Sequence, residues 1–281
     1  MIPRTEIQRV AASNDVDPTV IDHDYALGCF LHFLAQEESV HRGWIFKGGT
    51  ALAKCWFPDY RFSEDLDFTA EELLTAESMT SMLESAGRRL QDSLGIRTDL
   101  RDPSVETVDD EYGRESFEGK VYYQGIWQFR GDPRAIKIHV NRNEVLRFPP
   151  ASKGIIHRYS DHDELEHPEM RVYALEEVVV EKLRAFSGQR RFTVARDVFD
   201  LHFLSTKADV PSALNAFRDK CAVKGLDVTK IDVSAIRDKK DQYRINWEKN
   251  LEFLLPQPLR RLFDEAWETA TRLLEEAKAA A

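Results

Sequence analysis

Within the segment Ser63-Glu64-Asp65-Leu66-Asp67-Phe68 the last four residues alternate charged and apolar, a pattern that an extended strand sorts onto two faces. Leu66 and Phe68 then enter a core, and Asp65 and Asp67 stand side by side on the opposite face. Neighbouring carboxylates repel each other unless a cation lies between them. Magnesium suits that place, with manganese as its alternative, because it takes one or two carboxylates and completes its shell with phosphate oxygens and water. An isolated Asp-x-Asp can equally be a solvated acidic edge, so its surroundings have to decide.

Just upstream, Trp44-Ile45-Phe46-Lys47 reads as a short apolar strand running into Gly48-Gly49. Thr50 to Trp56 then reads as a helix capped by Thr50. Two residues without side chains let backbone N–H groups come close to a phosphate, and the positive end of the following helix points the same way. Thr50 would add a hydroxyl donor, and Lys47 or Lys54 a charge. A plain glycine turn between strand and helix is the competing meaning.

Apolar spacing predicts a helix over Asp17 to Gln36 and a long amphipathic one from Glu71 to Leu94, stopped by Gly95. Ile96–Leu100, Lys120–Phe129 and Ala135–Asn141 read as paired, partly buried strands. After Phe148-Pro149-Pro150 and a polar stretch the pattern turns helical: Leu175–Phe186, Val194–Leu204, Pro211–Lys224, Asp241–Phe253 and Leu259–Lys278. Strands with helices first and helices alone afterwards predict an α+β fold in two lobes. Residues 1–167 would form the α/β domain and residues 168–281 a C-terminal helical domain, divided near Pro168.

Hydrophobic residues make up 42% and charged residues 31% of the 281, so each domain can build a core. No apolar run approaches the roughly 20 residues that span a bilayer, and the polar start lacks the apolar core of a signal peptide. Cys29, Cys55 and Cys221 form no CxxC pair, which points away from a disulfide framework or a zinc site. A cytoplasmic protein is expected. The net charge of −10 argues against a general nucleic-acid coat protein but leaves room for a local basic cleft.

Taken together, the run Phe46-Lys47-Gly48-Gly49-Thr50-Ala51-Leu52-Ala53-Lys54 followed by Arg61-Phe62-Ser63-Glu64-Asp65-Leu66-Asp67-Phe68 resembles the AbiEii/AbiGii toxin family. These are bacterial toxins with the polymerase-β-like nucleotidyltransferase fold, some of which modify tRNA. Glu177 to Phe186, built around Lys182, resembles the family's third motif, and Arg196-Asp197-Val198-Phe199-Asp200-Leu201 its fourth. The resemblance covers about Phe46 to Leu204.

It implies a polymerase-β-like core with a mixed sheet, and an enzyme that moves NMP from an NTP to an acceptor hydroxyl. Catalytic roles fall on Asp65, Asp67, Lys182, Asp197 and Asp200, the first two holding the metal. Nucleotide contacts fall on Gly48, Gly49, Thr50, Lys54, Arg61 and Ser63. The implied acceptor is the 3′ end of tRNA, with blocked translation as the outcome, and a cognate antitoxin is the implied partner. Transfer to a small molecule of the antibiotic type, or a regulator that binds NTP without catalysis, are the alternatives. No membrane partner is expected.

Residue chemistry agrees with these roles. No acid lies three or four residues from Lys182 on its own helix, so a simple surface ion pair is disfavoured. Asp197 and Asp200 share one helical face and can orient Lys182 or complete the metal shell; a pair with Arg196 is as well supported for one of them. Arg184, Arg190, Arg191 and Arg196 are candidates for holding an RNA acceptor by its phosphates. One departure stands out. Polymerase-β-like enzymes often take a third carboxylate from a neighbouring strand, whereas Lys137, His139 and Asn141 occupy the polar face of Ala135–Asn141. His157, His162 and His167 read as a solvated loop.

Overall fold

The computed structural model describes residues 1–281 except 73, 110–114, 128–131, 143, 190 and 191; the side chains of 115 and 189 are also outside the description. The chain divides into two compact units: Met1–Glu144 with Pro150–Val172, and Val145–Pro149 with Tyr173–Ala281. The first unit runs beyond Pro168 because a sheet strand carries it to Val172.

The first unit is built on a mixed sheet of β1 (Trp44–Lys47), β2 (Asp65–Ala70), β3 (Ser104–Asp109), β4 (Glu115–Tyr123), β5 (Arg134–Arg142), β6 (Ala151–Gly154) and β7 (Glu169–Val172). Their order among the described residues is β3-β4-β5-β2-β1-β7-β6. β2 runs antiparallel to β1 and parallel to β5, so the acidic strand lies inside the sheet.

Register carries the period-two pattern across the sheet. Phe46, Phe68, Val140 and Phe117 form one cross-strand row, all buried. The adjoining row contains Leu66, Ile138 and Gly119. A Cβ on Gly119 would meet Met79 and Leu83 of helix Ala76–Leu94 at 2.7 and 2.8 Å, so this glycine lets the helix seat on the sheet. The opposite face is polar: Lys47, Asp67, His139, Glu118 and Glu106 form one row, Asp65, Lys137 and Lys120 the next.

Helix Pro18–Leu34, capped by Asp17, is buried almost all round and is the centre of this unit. A helix over Arg4–Asn14 precedes it, which the apolar spacing did not disclose. Helix Ala76–Leu94 starts later than Glu71 because β2 continues to Ala70 and a reciprocal Thr75–Ser78 capping box sets the first turn. Ile96–Leu100 is not a strand; it keeps one bridge, Arg97 to Gln124, and pairing begins after Pro103 with β3. The proposed strand Lys120–Phe129 is β4 up to Tyr123, and its last two residues lie outside the described ones.

The histidine-rich stretch is not simply solvated. His157 is buried, its Nε2 2.7 Å from Asp161 Oδ1, and its ring lies edge-on to fully buried His32. His32 shares its Nδ1 proton with the Gly28 carbonyl, and burial, with the nearby His157, His167 and Lys54, pushes its pKa down to about 4. A folded-state pKa below the unfolded value of about 6.5 means that protons favour the unfolded chain. Stability is therefore complete above pH about 6.5 and falls as pH drops toward about 4. We expect this group to cost about 2 kcal/mol between pH 7 and pH 5, read from urea midpoints, and His32→Gln to flatten that profile.

The second unit is helical among its described residues. Pro211–Lys224 is two helices, Val210–Asn215 and Phe217–Val223, rather than one. Phe186, Tyr243 and Trp267 pack edge-to-face and tilted, and Phe263 stacks on Trp267 and extends this aromatic cluster to Trp247 and Phe199. Lys220, fully buried, places Nζ 2.6 Å from buried Glu177 and 2.9 Å from the Val145 carbonyl. Glu177 also accepts the N–H groups of Arg147 and Phe148. This buried ion pair ties the Val145–Pro149 segment into the unit.

Candidate active site

Both glycines are required by the side chains lying against them. Gly48 has φ +78°, a left-handed conformation costly for other residues, and a Cβ there would be 2.5 Å from Asp67 Oδ2. At Gly49 a Cβ would run into the Arg61 guanidinium. The two motifs recognised in sequence are thus one packed object: the Gly-Gly backbone is the floor on which Asp67 and Arg61 rest.

The helix begins at Gly48, not after Thr50, and continues as a wider π-helical turn over Leu52–Trp56. Thr50 is therefore not its cap. Its hydroxyl donates to the Asp65 carbonyl at 2.5 Å and is buried. A hydroxyl has one proton, so the expected Thr50 side-chain contact to a phosphate is replaced by a contact to β2. Lys54 is corrected in the same way. It is fully buried, with Nζ 2.7 Å from Asp24, which also accepts from Tyr159 at 2.7 Å, so its charge serves the core. Arg61 is buried behind Gly49 and donates to the Phe62 carbonyl, and Ser63 is buried too. What remains at the surface of the nucleotide motif is the backbone of Gly48 and half-buried Lys47.

Asp65 and Asp67 share the polar face of β2, both half-buried. In register, Asp67 lies between Lys47 on β1 and His139 on β5. His139 Nδ1 is 3.3 Å from Asp67 Oδ1, and this hydrogen bond raises the histidine pKa above its ordinary value. The neighbouring strand thus offers Asp67 an imidazole, with Glu118 one strand further along the same row. Two carboxylate side chains, hard and negative, form a donor set that fits magnesium, whose remaining positions go to phosphate and water.

Behind β2, His23 was not singled out by the sequence. It is buried; Nε2 lies 2.9 Å from the Glu64 carbonyl and Nδ1 2.8 Å from the Tyr123 hydroxyl. Burial is the main influence on its pKa and lowers it. The one hint in the sequence is the charged run Asp22-His23-Asp24 inside an otherwise apolar helix.

In the second unit, Lys182 lies between two buried carboxylates, 2.7 Å from Asp197 Oδ1 and 2.9 Å from Asp200 Oδ2. The acids sit one turn apart on helix Ala195–Leu204, so both reach one ammonium group. Lys182 is thereby held in place and retains some exposure, 16%. Arg184 is mostly buried, 3.9 Å from Glu181, and is not the surface phosphate contact expected of it. Arg196 is half-buried, and Arg190 and Arg191 lie outside the described residues.

A family model described as "Nucleotidyl transferase AbiEii toxin, Type IV TA system" matches residues 32–269. No curated protein matches the sequence. Among solved structures, the chain is similar to MenT4, the nucleotidyltransferase toxin Rv2826c from Mycobacterium tuberculosis H37Rv, with TM-score 0.56 and 20% identity, covering 98% of this chain and 99% of that one. It is also similar to JHP933 from Helicobacter pylori, with TM-score 0.56 and 19% identity over 94% and 95% of the two chains. At these identities the structural likeness shows a shared fold.

Proposed function

Because the chain belongs to the AbiEii family of nucleotidyl transferase toxins from type IV toxin–antitoxin systems, we propose that it is a magnesium-dependent enzyme that moves NMP from an NTP to the 3′ end of tRNA and so blocks translation. It would act in the cytoplasm under the control of a cognate antitoxin. The observation that carries this reading is the pair Asp65 and Asp67, side by side on an interior strand, with the Gly48 backbone packed on Asp67.

In this reading an acceptor hydroxyl attacks the α-phosphorus in line, its proton passes to solvent, and the bond to the β-phosphate breaks so that pyrophosphate leaves. The ion, when bound, neutralises charge on the phosphate oxygens. Asp65 and Asp67 would hold it, His139 fixes the Asp67 carboxylate, and the Gly48 backbone and Lys47 would meet the nucleotide. In the second unit, Lys182 is steadied by Asp197 and Asp200, and the family resemblance assigns it a catalytic role. Catalysis of this kind depends on positioning and charge neutralisation more than on covalent chemistry.

The test is incubation with each radiolabelled NTP and total tRNA. Label on tRNA, lost in Lys182→Ala, supports the proposal. Label on small metabolites alone would make the chain a small-molecule transferase, and NTP binding without transfer would make it a regulator. Gly48→Ala probes the glycine floor. The new methyl group collides with Asp67 in a strained backbone, and displacing that carboxylate is expected to lower kcat/KM on the order of 10²-fold. Wild-type kcat/KM in this variant would show that Asp67 needs no such seat.

A further inference from the structure

The two carbonyl oxygens that flank the Asp65 N–Cα–C unit are each held by a buried side-chain donor. Thr50 donates to the carbonyl of Asp65, and His23 engages the carbonyl of Glu64. β1 ends opposite Asp67, with Lys47 as its last paired residue, so Asp65 and Leu66 have no β1 residue beside them in the ladder. Two side chains thus act on the stretch of backbone where one neighbouring strand has run out.

The His23 contact has a defined direction. A carbonyl only accepts, so Nε2 carries the proton; neutral Nδ1 must then accept from the Tyr123 hydroxyl. Tyr123, fully buried at the end of β4, satisfies Nδ1 and so leaves the Nε2 proton to the carbonyl. Asp22, the residue before His23, accepts the N–H groups of Ile126 and Trp127 at 2.8 and 3.3 Å, which ties this turn of the helix to the segment following β4. The relay runs from Tyr123 O–H to His23 to Glu64 C=O. His23 also precedes residue 32, where the family match begins.

We propose that His23 is a positioning residue: with Tyr123 behind it and Thr50 on the next carbonyl, it sets the backbone of Asp65 so that the carboxylate faces the metal beside Asp67. This rests on the assignment of Asp65 as a metal ligand. Residues that orient a metal ligand without touching the metal change affinity or rate by about 10–100-fold when removed. A γ-amide nitrogen of glutamine reaches where Nε2 of histidine lies, so His23→Gln keeps a donor to the Glu64 carbonyl, whereas His23→Leu fills the space without one.

The experiment measures Mn²⁺ binding by electron paramagnetic resonance, kcat for transfer, and urea midpoints, in the full chain. His23→Leu is expected to weaken Mn²⁺ binding and lower kcat about 10–100-fold, and His23→Gln to recover both to within about threefold. Tyr123→Phe, which leaves Nδ1 without its donor, should fall between them. Asp65→Asn is the control for the site itself. If Asp65→Asn loses Mn²⁺ while His23→Leu keeps wild-type affinity, the inference falls and the site assignment stands. If Leu and Gln variants lose affinity equally, in proportion to lost stability, His23 is structural and the inference falls. Mn²⁺ binding indifferent to Asp65→Asn overturns both. Absent transfer with Asp65-dependent Mn²⁺ binding overturns the proposed reaction and leaves the His23 comparison to be read from affinity.

Discussion

Asp65→Asn and Asp67→Asn are each expected to lower nucleotidyl transfer by on the order of 10³-fold or more, with Mn²⁺ binding lost in parallel. The replacement keeps shape and removes charge, and charge is what a hard cation and a triphosphate require of these two positions. Both side chains stand on the polar face of β2 at intermediate exposure, while the packing of that strand comes from Leu66 and Phe68 on the other face. The fold should therefore survive, and relief of carboxylate repulsion offsets part of any lost contact. Thermal unfolding within a few degrees of wild type, together with lost transfer, is the expected pair of results. Transfer at wild-type rate in Asp65→Asn would remove the metal assignment.

The second large effect belongs to stability. Lys220→Ala is expected to destabilise the protein by about 3–5 kcal/mol, because it leaves Glu177 as an uncompensated charge in the interior. Glu177 does more than pair with the lysine: it accepts two backbone N–H groups from Arg147 and Phe148, so its disturbance should also loosen Val145–Pro149. Urea unfolding reports on the loss of stability, and limited proteolysis reports on the segment. The double replacement Glu177→Gln with Lys220→Met removes both charges and should recover much of the loss, since a buried pair is often worth little against a well-packed neutral substitute. If the double variant were no better than Lys220→Ala, the cost would lie in packing and not in the uncompensated charge.

Much of the site could be read from the linear chain, because local physics governs it. Alternation in Asp65-Leu66-Asp67-Phe68 demands a strand with its acids on one side, and β2 has that form. The i, i+3 spacing of Asp197 and Asp200 places both on one helical face, where they meet Lys182. The order of strands before helices predicts an α+β fold, and the mixed sheet with its helical second unit agrees.

What the chain could not disclose by itself concerns partners far apart in sequence. Thr50, Lys54 and Arg61 have the chemistry of phosphate contacts, and nothing local says that they are turned instead to the Asp65 carbonyl, to Asp24 and to Gly49. A hydroxyl or an ammonium group satisfies whichever acceptor the fold brings near, and burial makes that choice compulsory because an unpaired polar group inside is costly. The same holds for His23, forty-one residues from the carbonyl it engages. The sequence by itself determined the period of each element, the placing of acids and glycines, and the family. Tertiary structure alone decided which polar side chains stay at the surface and which are turned to the backbone around Asp65, since that depends on burial and on distance through space, and neither is written in the order of residues.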